Sequence, residues 1–158
     1  MIDLPLQIVA TGRPRPSDEG SASLEFITAG LILLVPTVYL ILTMSVLQSA
    51  TLATEGAARE GARTFVQAGD DAAARRATRS SVLMTLADYG IDSDAATITI
   101  RCEPESTPCL ERESRVTVTV DVAVTLPLAP AVIGNGPTLA IPVSSGATHT
   151  VSRFWRPE

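Results

Sequence analysis

The chain contains no lysine, and all 12 of its cationic side chains are arginines. That bias reflects coding composition more than mechanism. Aromatic residues make up only 4% of the chain, so a soluble core has to be assembled from Val, Ile, Leu and Ala. A net charge of −5 leaves no basic patch, and nucleic acid is not an expected partner. One histidine, His149, lies between Thr148 and Thr150, and the two cysteines are Cys102 and Cys109. No glycine-rich phosphate loop follows a strand, and no His or Cys ligands have zinc spacing. Catalysis, a cofactor, a metal and a small-molecule substrate are therefore not expected.

Charge is absent from one long stretch. No Asp, Glu or Arg occurs between Glu25 and Glu55. Residues 27–47, at about 1.5 Å per helical residue, cover roughly 30 Å, the thickness of a bilayer core. Pro36 lies inside this run, and Thr37, Tyr39 and Thr43 carry hydroxyls to which a neighbouring helix could give partners, although a monomeric anchor is also compatible. Small residues at Ala29 and Gly30 allow close approach at one end of it. Arg13 and Arg15 precede the run, which favours an N-terminus inside and a C-terminal part outside, in spite of Arg59 and Arg63 beyond it. Residues 1–20 contain Pro5, Pro14 and Pro16, which oppose a helix, and read as a cytoplasmic tail or as a cleaved leader. An ordinary secretory signal fits poorly, because its apolar region is only about 7–15 residues long.

Beyond the run, residues 48–67 are alanine-rich and free of proline, with Leu52, Ala58, Ala62, Phe65 and Val66 marking an expected apolar stripe. Glu55, Arg59, Glu60 and Arg63 are charge neighbours at helical spacing. Gly69 and Asp70-Asp71 read as a stop followed by a new N-cap. A second helix is expected over 71–89, with Val82, Leu83, Leu86 and Tyr89 on one face and Gly90 ending it. The period then changes from helix to strand. Ile98, Ile100 and Cys102 alternate in 96–102, and valines at every even position from 116 to 124 mark 114–126 as the clearest strand. A polar hairpin connection joins them, and Cys102 and Cys109 are expected to close it as a disulfide if the domain is exported. A third extended region, 139–155, breaks at Ser144-Ser145-Gly146, where a bulge is expected. The whole is an α+β chain in three parts: a leader 1–20, a helix over 21–69 with its span at about 27–47, and an extracytoplasmic domain 70–158 with a roughly three-stranded antiparallel sheet.

The start of the apolar run carries a resemblance. Gly20 is followed by Ser21-Ala22-Ser23-Leu24-Glu25-Phe26, so Glu25 is the fifth residue after a glycine, directly before an apolar helix. Residues 57–63 read A-A-R-E-G-A-R, including Arg59, Glu60, Gly61 and Arg63. Together these resemble TadE-like minor pseudopilins of tight-adherence (Tad/Flp) systems, relatives of the type IV pilins, over residues 20–66. The resemblance implies a pilin-like fold, cleavage between Gly20 and Ser21 by a membrane prepilin peptidase, and pairing of Glu25 with the new amine at Ser21 of a neighbouring subunit. It also implies pilin or pseudopilin subunits and Tad assembly proteins as partners, a place in the cytoplasmic membrane, and incorporation into a pilus or pseudopilus. The alternative reading is an uncleaved single-pass anchor for an extracytoplasmic interaction or adhesion domain.

Overall fold

The computed structural model describes residues 21–105, 108–126 and 140–156. The expected leader 1–20, with Gly20, lies outside the described residues, as does Leu139. The chain divides into two compact units, Met1–Val38 and Tyr39–Glu158.

Helix α1 (Ser21–Val66) is 46 residues long and runs through Pro36 without interruption. Its threonines resolve a problem that an apolar helix poses for every hydroxyl. Thr28 Oγ1 donates to Leu24 O at 2.8 Å, Thr37 Oγ1 to Leu33 O at 2.7 Å, and Thr43 Oγ1 to Tyr39 O at 2.9 Å. A hydroxyl without water must find an acceptor, and the carbonyl four residues back lies within its reach. Thr37 and Thr43 therefore have acceptors within their own helix, and of the two arrangements open from sequence neither is required by their hydroxyls.

In the unit Tyr39–Glu158, the last part of α1 turns a face of small residues to the core. Ala50, Ala53, Thr54, Ala57, Ala58, Gly61 and Ala62 are buried, and Phe65 closes the series. Their spacing of three and four residues is the helical period. Leu52, expected on this stripe, is instead 61% exposed: it falls between Ala50 and Ala53 on the opposite side of the turn.

A short turn with Ala68 N donating to Phe65 O leads to helix α2 (Asp71–Asp88). Asp70 is its N-cap, accepting from Ala73 N at 2.7 Å, which satisfies one of the orphan donors of the first turn. At the other end Gly90 adopts φ 71°, with Gly90 N donating to Ala87 O and Ile91 N to Leu86 O. This is the Schellman arrangement, and it needs a residue tolerant of the left-handed region. The buried line of α2 is Ala74, Thr78, Val82 and Leu86, whereas Leu83 is half-buried and Tyr89 exposed. A single 3-10 turn, Ser93–Ala95, precedes the strands.

Strands β1 (Ala96–Glu103), β2 (Arg115–Thr125) and β3 (Ala140–Thr150) form an antiparallel sheet in the order β1-β2-β3. The alternation in β2 has its expected result: Val116, Val118, Val120, Val122 and Val124 are all buried. Each fully buried valine contributes on the order of 1.5 kcal/mol or more. The expected bulge in β3 is absent, since Ser144, Ser145 and Gly146 pair one-for-one with Asp121, Val120 and Thr119. These residues are small, but none is an extra residue in the ladder. The strand also ends at Thr150 rather than continuing to Trp155, because Trp155 N folds back to Ser152 O.

Three elements meet at Gly61. A Cβ placed there would lie 2.7 Å from Val82 Cγ2 and 3.3 Å from both Thr78 Cγ2 and Val118 Cγ1. The Thr78 hydroxyl donates to Gly61 O at 3.2 Å, in a fully buried position. Alanine at 61 would gain roughly 0.5–1 kcal/mol of helix propensity. It would lose about 1–3 kcal/mol to overpacking, since the β-branched Val82 cannot rotate freely aside. Gly61→Ala is expected to lower the thermal midpoint of the detergent-solubilised protein, and Gly61→Leu to lower it further. Adding Val82→Ala to Gly61→Ala should cost less than the sum of the two single changes. Strict additivity in that cycle would show that the two positions do not meet.

Candidate functional site

The residues singled out in the sequence fall into three places on this fold. The first is the start of α1, in the unit Met1–Val38. The helix begins at Ser21, and Glu25 is exposed on its second turn among Leu24, Thr28, Ala29 and Ile32. Phe26 beside it is 80% exposed. Among the described residues the Glu25 carboxylate has no hydrogen-bond or ionic partner. The most apolar window of α1 has a mean hydropathy of 2.3 and none of it is buried, so this helix is long and apolar enough to cross a membrane.

The second place is the A-R-E-G-A-R segment, which the helical period splits in two. Gly61 and Ala62, with Ala57 and Ala58 before them, are buried in the core. Arg59, Glu60 and Arg63 are exposed. Arg59 Nη2 pairs with Glu55 Oε2 at 2.8 Å, and Glu60 Oε1 accepts a long bond of 3.5 Å from Thr64 Oγ1. Arg63 has no ionic partner among the described residues. The segment thus carries a packing half and a surface half, and only the first has a role inside the fold.

The third place is the connection between β1 and β2. Cys102 and Cys109 form a disulfide with their Cα atoms 5.6 Å apart. The connection is more than a solvated hairpin tip, because Cys109 and Leu110 are buried against Phe65, Ala74, Val116 and Val151. Leu110 N donates to Asp71 Oδ1 at 3.1 Å, and Arg75 reaches both Asp71, at 3.6 Å, and Cys109 Sγ, at 3.4 Å. Ser114 Oγ donates to the carbonyls of Cys109 and Glu111, each at 2.8 Å. Trp155 Nε1 donates to Ala68 O at 2.9 Å, tying the end of the chain to the turn before α2. The sequence reading missed Asp71, Arg75 and Trp155 in this role. A carboxylate and a guanidinium four apart on the first turns of α2 were visible, but nothing local marks a contact with a loop more than thirty residues away. Glu103, Glu105, Glu111 and Glu113 remain exposed around it.

His149 is exposed on β3, and no group of three or more potential metal ligands occurs among the described residues. Compared with protein-family models, with curated proteins and with solved structures, the chain finds no match.

Exposed ion pairs contribute about 0–1 kcal/mol, so Arg59→Ala and Arg63→Ala are expected to leave the thermal midpoint nearly unchanged. Opening the disulfide by Cys102→Ser with Cys109→Ser should cost on the order of 2 kcal/mol in a chaotrope titration, because even this short loop restrains the unfolded chain. Equal stability of the oxidised protein and the double serine variant would deny the disulfide that role.

Proposed function

We propose that the protein is a minor pseudopilin of a tight-adherence type system, released from its leader between Gly20 and Ser21 and built into a pilus or pseudopilus through α1. The observation that carries this reading is Glu25: an exposed carboxylate without a partner among the described residues, five residues after a glycine, on a helix whose apolar face is bare. A charged carboxylate at the centre of a membrane helix costs roughly 2.5–3.5 kcal/mol, and such groups are retained where they meet a partner. Cleavage would create one, the α-amine of Ser21 on an adjoining subunit. The interaction then exists only between processed chains, which couples assembly to processing.

The same reading accounts for the rest of the chain. The helix anchors the protein in the cytoplasmic membrane with its N-terminus inside. The part from α2 onward, closed by the disulfide, faces the oxidising side, where such bonds persist. Its partners are the prepilin peptidase, other pilin or pseudopilin subunits and the assembly proteins of the system. Arg59, Glu60 and Arg63, which do no work inside the fold, form surface available to them.

Intact-mass measurement of the protein extracted from membranes tests the processing step. A mass beginning at Ser21, with or without a methyl group on the amine, is expected; a chain retaining residues 1–20 would instead favour the uncleaved anchor. Glu25→Ala should remain membrane-inserted and fold normally, yet lose piliation. Full piliation by that variant would remove Glu25 from assembly.

A further inference from the structure

Within the unit Tyr39–Glu158, the contacts of α1 fix how far along it the other elements reach. A Cβ at Gly61 would meet Thr78, Val82 and Val118, and one at Gly56 would meet Thr85 at 3.9 Å. Rising numbers in α2 therefore lead back along α1, and at about 1.5 Å per residue Tyr89 comes level with position 52 or so. Strand β2 runs the same way, since Val118 meets Gly61 while residues 122–125 line a groove with residues 45–50. From Val118 to Val124 the strand covers about 20 Å, as do about fourteen helical residues counted back from Gly61. Val124 thus lies near the level of Leu47, where the expected span 27–47 ends. Residues 39–47 of that span belong to this unit.

The groove at this end has a volume of about 440 Å³ and lies between α1, the turn after α2 and the last residues of β2. Val122 and Val124, both buried, and half-buried Val46 give it an apolar lining. Tyr89 and Asp92 line it as well. Tyr89 stands about five residues of α1 further from the span than Val124, and Asp92 lies between it and Ala96, the partner of Val122. Tyr89 is 48% exposed, and Asp92, before the 3-10 turn, makes no side-chain capping bond. The apolar part of the groove is therefore nearer the span and the polar part further out.

Charge at this end is of one sign. Asp88, Asp92 and Asp94 crowd the turn, and no arginine occurs between Arg79 and Arg101. On the other wall, no Asp, Glu or Arg occurs between Asp121 and Arg153. An apolar groove continuous with a membrane span has lipid as its nearest neighbour, and an exposed tyrosine at that height suits the membrane–water interface. Carboxylates with no cation beside them repel an anionic headgroup and attract an ammonium, as does the face of an aromatic ring.

We propose that this groove seats one phospholipid from the leaflet on the domain's side. Its acyl chain lies along Val46, Val122 and Val124, and its ammonium headgroup sits beside Tyr89 and Asp92. The lipid site requires α1 to cross the membrane, but neither cleavage after Gly20 nor assembly into a filament.

Full-length protein in vesicles of equal phosphatidylethanolamine and phosphatidylglycerol gives the test, with a diazirine on the acyl chain of one lipid or the other. On illumination, the ethanolamine probe is expected to label residues 89–92 and 122–125 in a peptide map, besides residues 27–47. The glycerol probe should label the first two segments several-fold less and residues 27–47 equally. Ser49→Phe, which puts a ring into the groove, should abolish labelling of 122–125 and spare 27–47. Asp92→Asn, at an exposed side chain with no capping bond to lose, should keep the labelling and remove the difference between the probes. Each variant is read with Cys102 and Cys109 still linked. Label confined to 27–47, as when water or residues 127–139 fill the groove, would overturn the proposal. So would labelling of 122–125 that survives Ser49→Phe, equal labelling by both probes in the unchanged protein, or a difference between them that survives Asp92→Asn.

Discussion

The unit Tyr39–Glu158 depends on how closely one helix backbone can approach its neighbours. At Gly61, α1 lies against Val82 and Thr78 of α2 and Val118 of β2 with no room for a methyl group. The helix can come that near because its buried face is built of alanine, threonine and glycine rather than larger residues. In a chain with few aromatics, core density has to come from proximity instead of from large side chains. The buried hydrogen bond from Thr78 to the Gly61 carbonyl draws α2 to the same point. Loss of that proximity would open the contact among all three elements at once.

A second, smaller cluster completes the domain at its other end. Phe65 is the large residue of α1 that is fully buried, and it sits against Leu110, Val116 and Val151. What holds the loop over it is a set of unlike interactions: the disulfide, the Asp71 carboxylate on Leu110 N, the Arg75 guanidinium near Cys109, and the Trp155 indole on Ala68. The disulfide is covalent, and the other three are single polar contacts. Their common effect is to join the turn after α1, the start of α2, the β1–β2 connection and the chain's end into one corner.

Much of this architecture was legible beforehand, for reasons that differ by element. The valines of β2 alternate so regularly that strand and buried face could be read together, and the Asp70 cap and Gly90 stop bounded α2 because each has a local mechanism. The buried face of α1 was read correctly at Ala58, Ala62 and Phe65 and misread at Leu52, the most hydrophobic residue in its neighbourhood, where proximity selected the small residues beside it. Ser144-Ser145-Gly146 looked like a break because composition does not reveal whether a residue is extra or merely small. The loop contacts of Asp71 and Arg75 were invisible, since they join positions distant in the chain. For the candidate site, the place of Glu25 on an apolar helix and the existence of the disulfide were readable. The division of A-R-E-G-A-R into packed and exposed halves required knowing which way the helix faces.

The threonines of α1 carry a consequence of a different kind. By giving their hydroxyl protons to their own helix, Thr28, Thr37 and Thr43 leave the Tyr39 hydroxyl and the Glu25 carboxylate as the side-chain groups between residues 25 and 43 without a partner among the described residues. The side chains left to meet anything beside this stretch by a hydrogen bond are therefore few and far apart along it, a carboxylate near its start and a phenol at position 39.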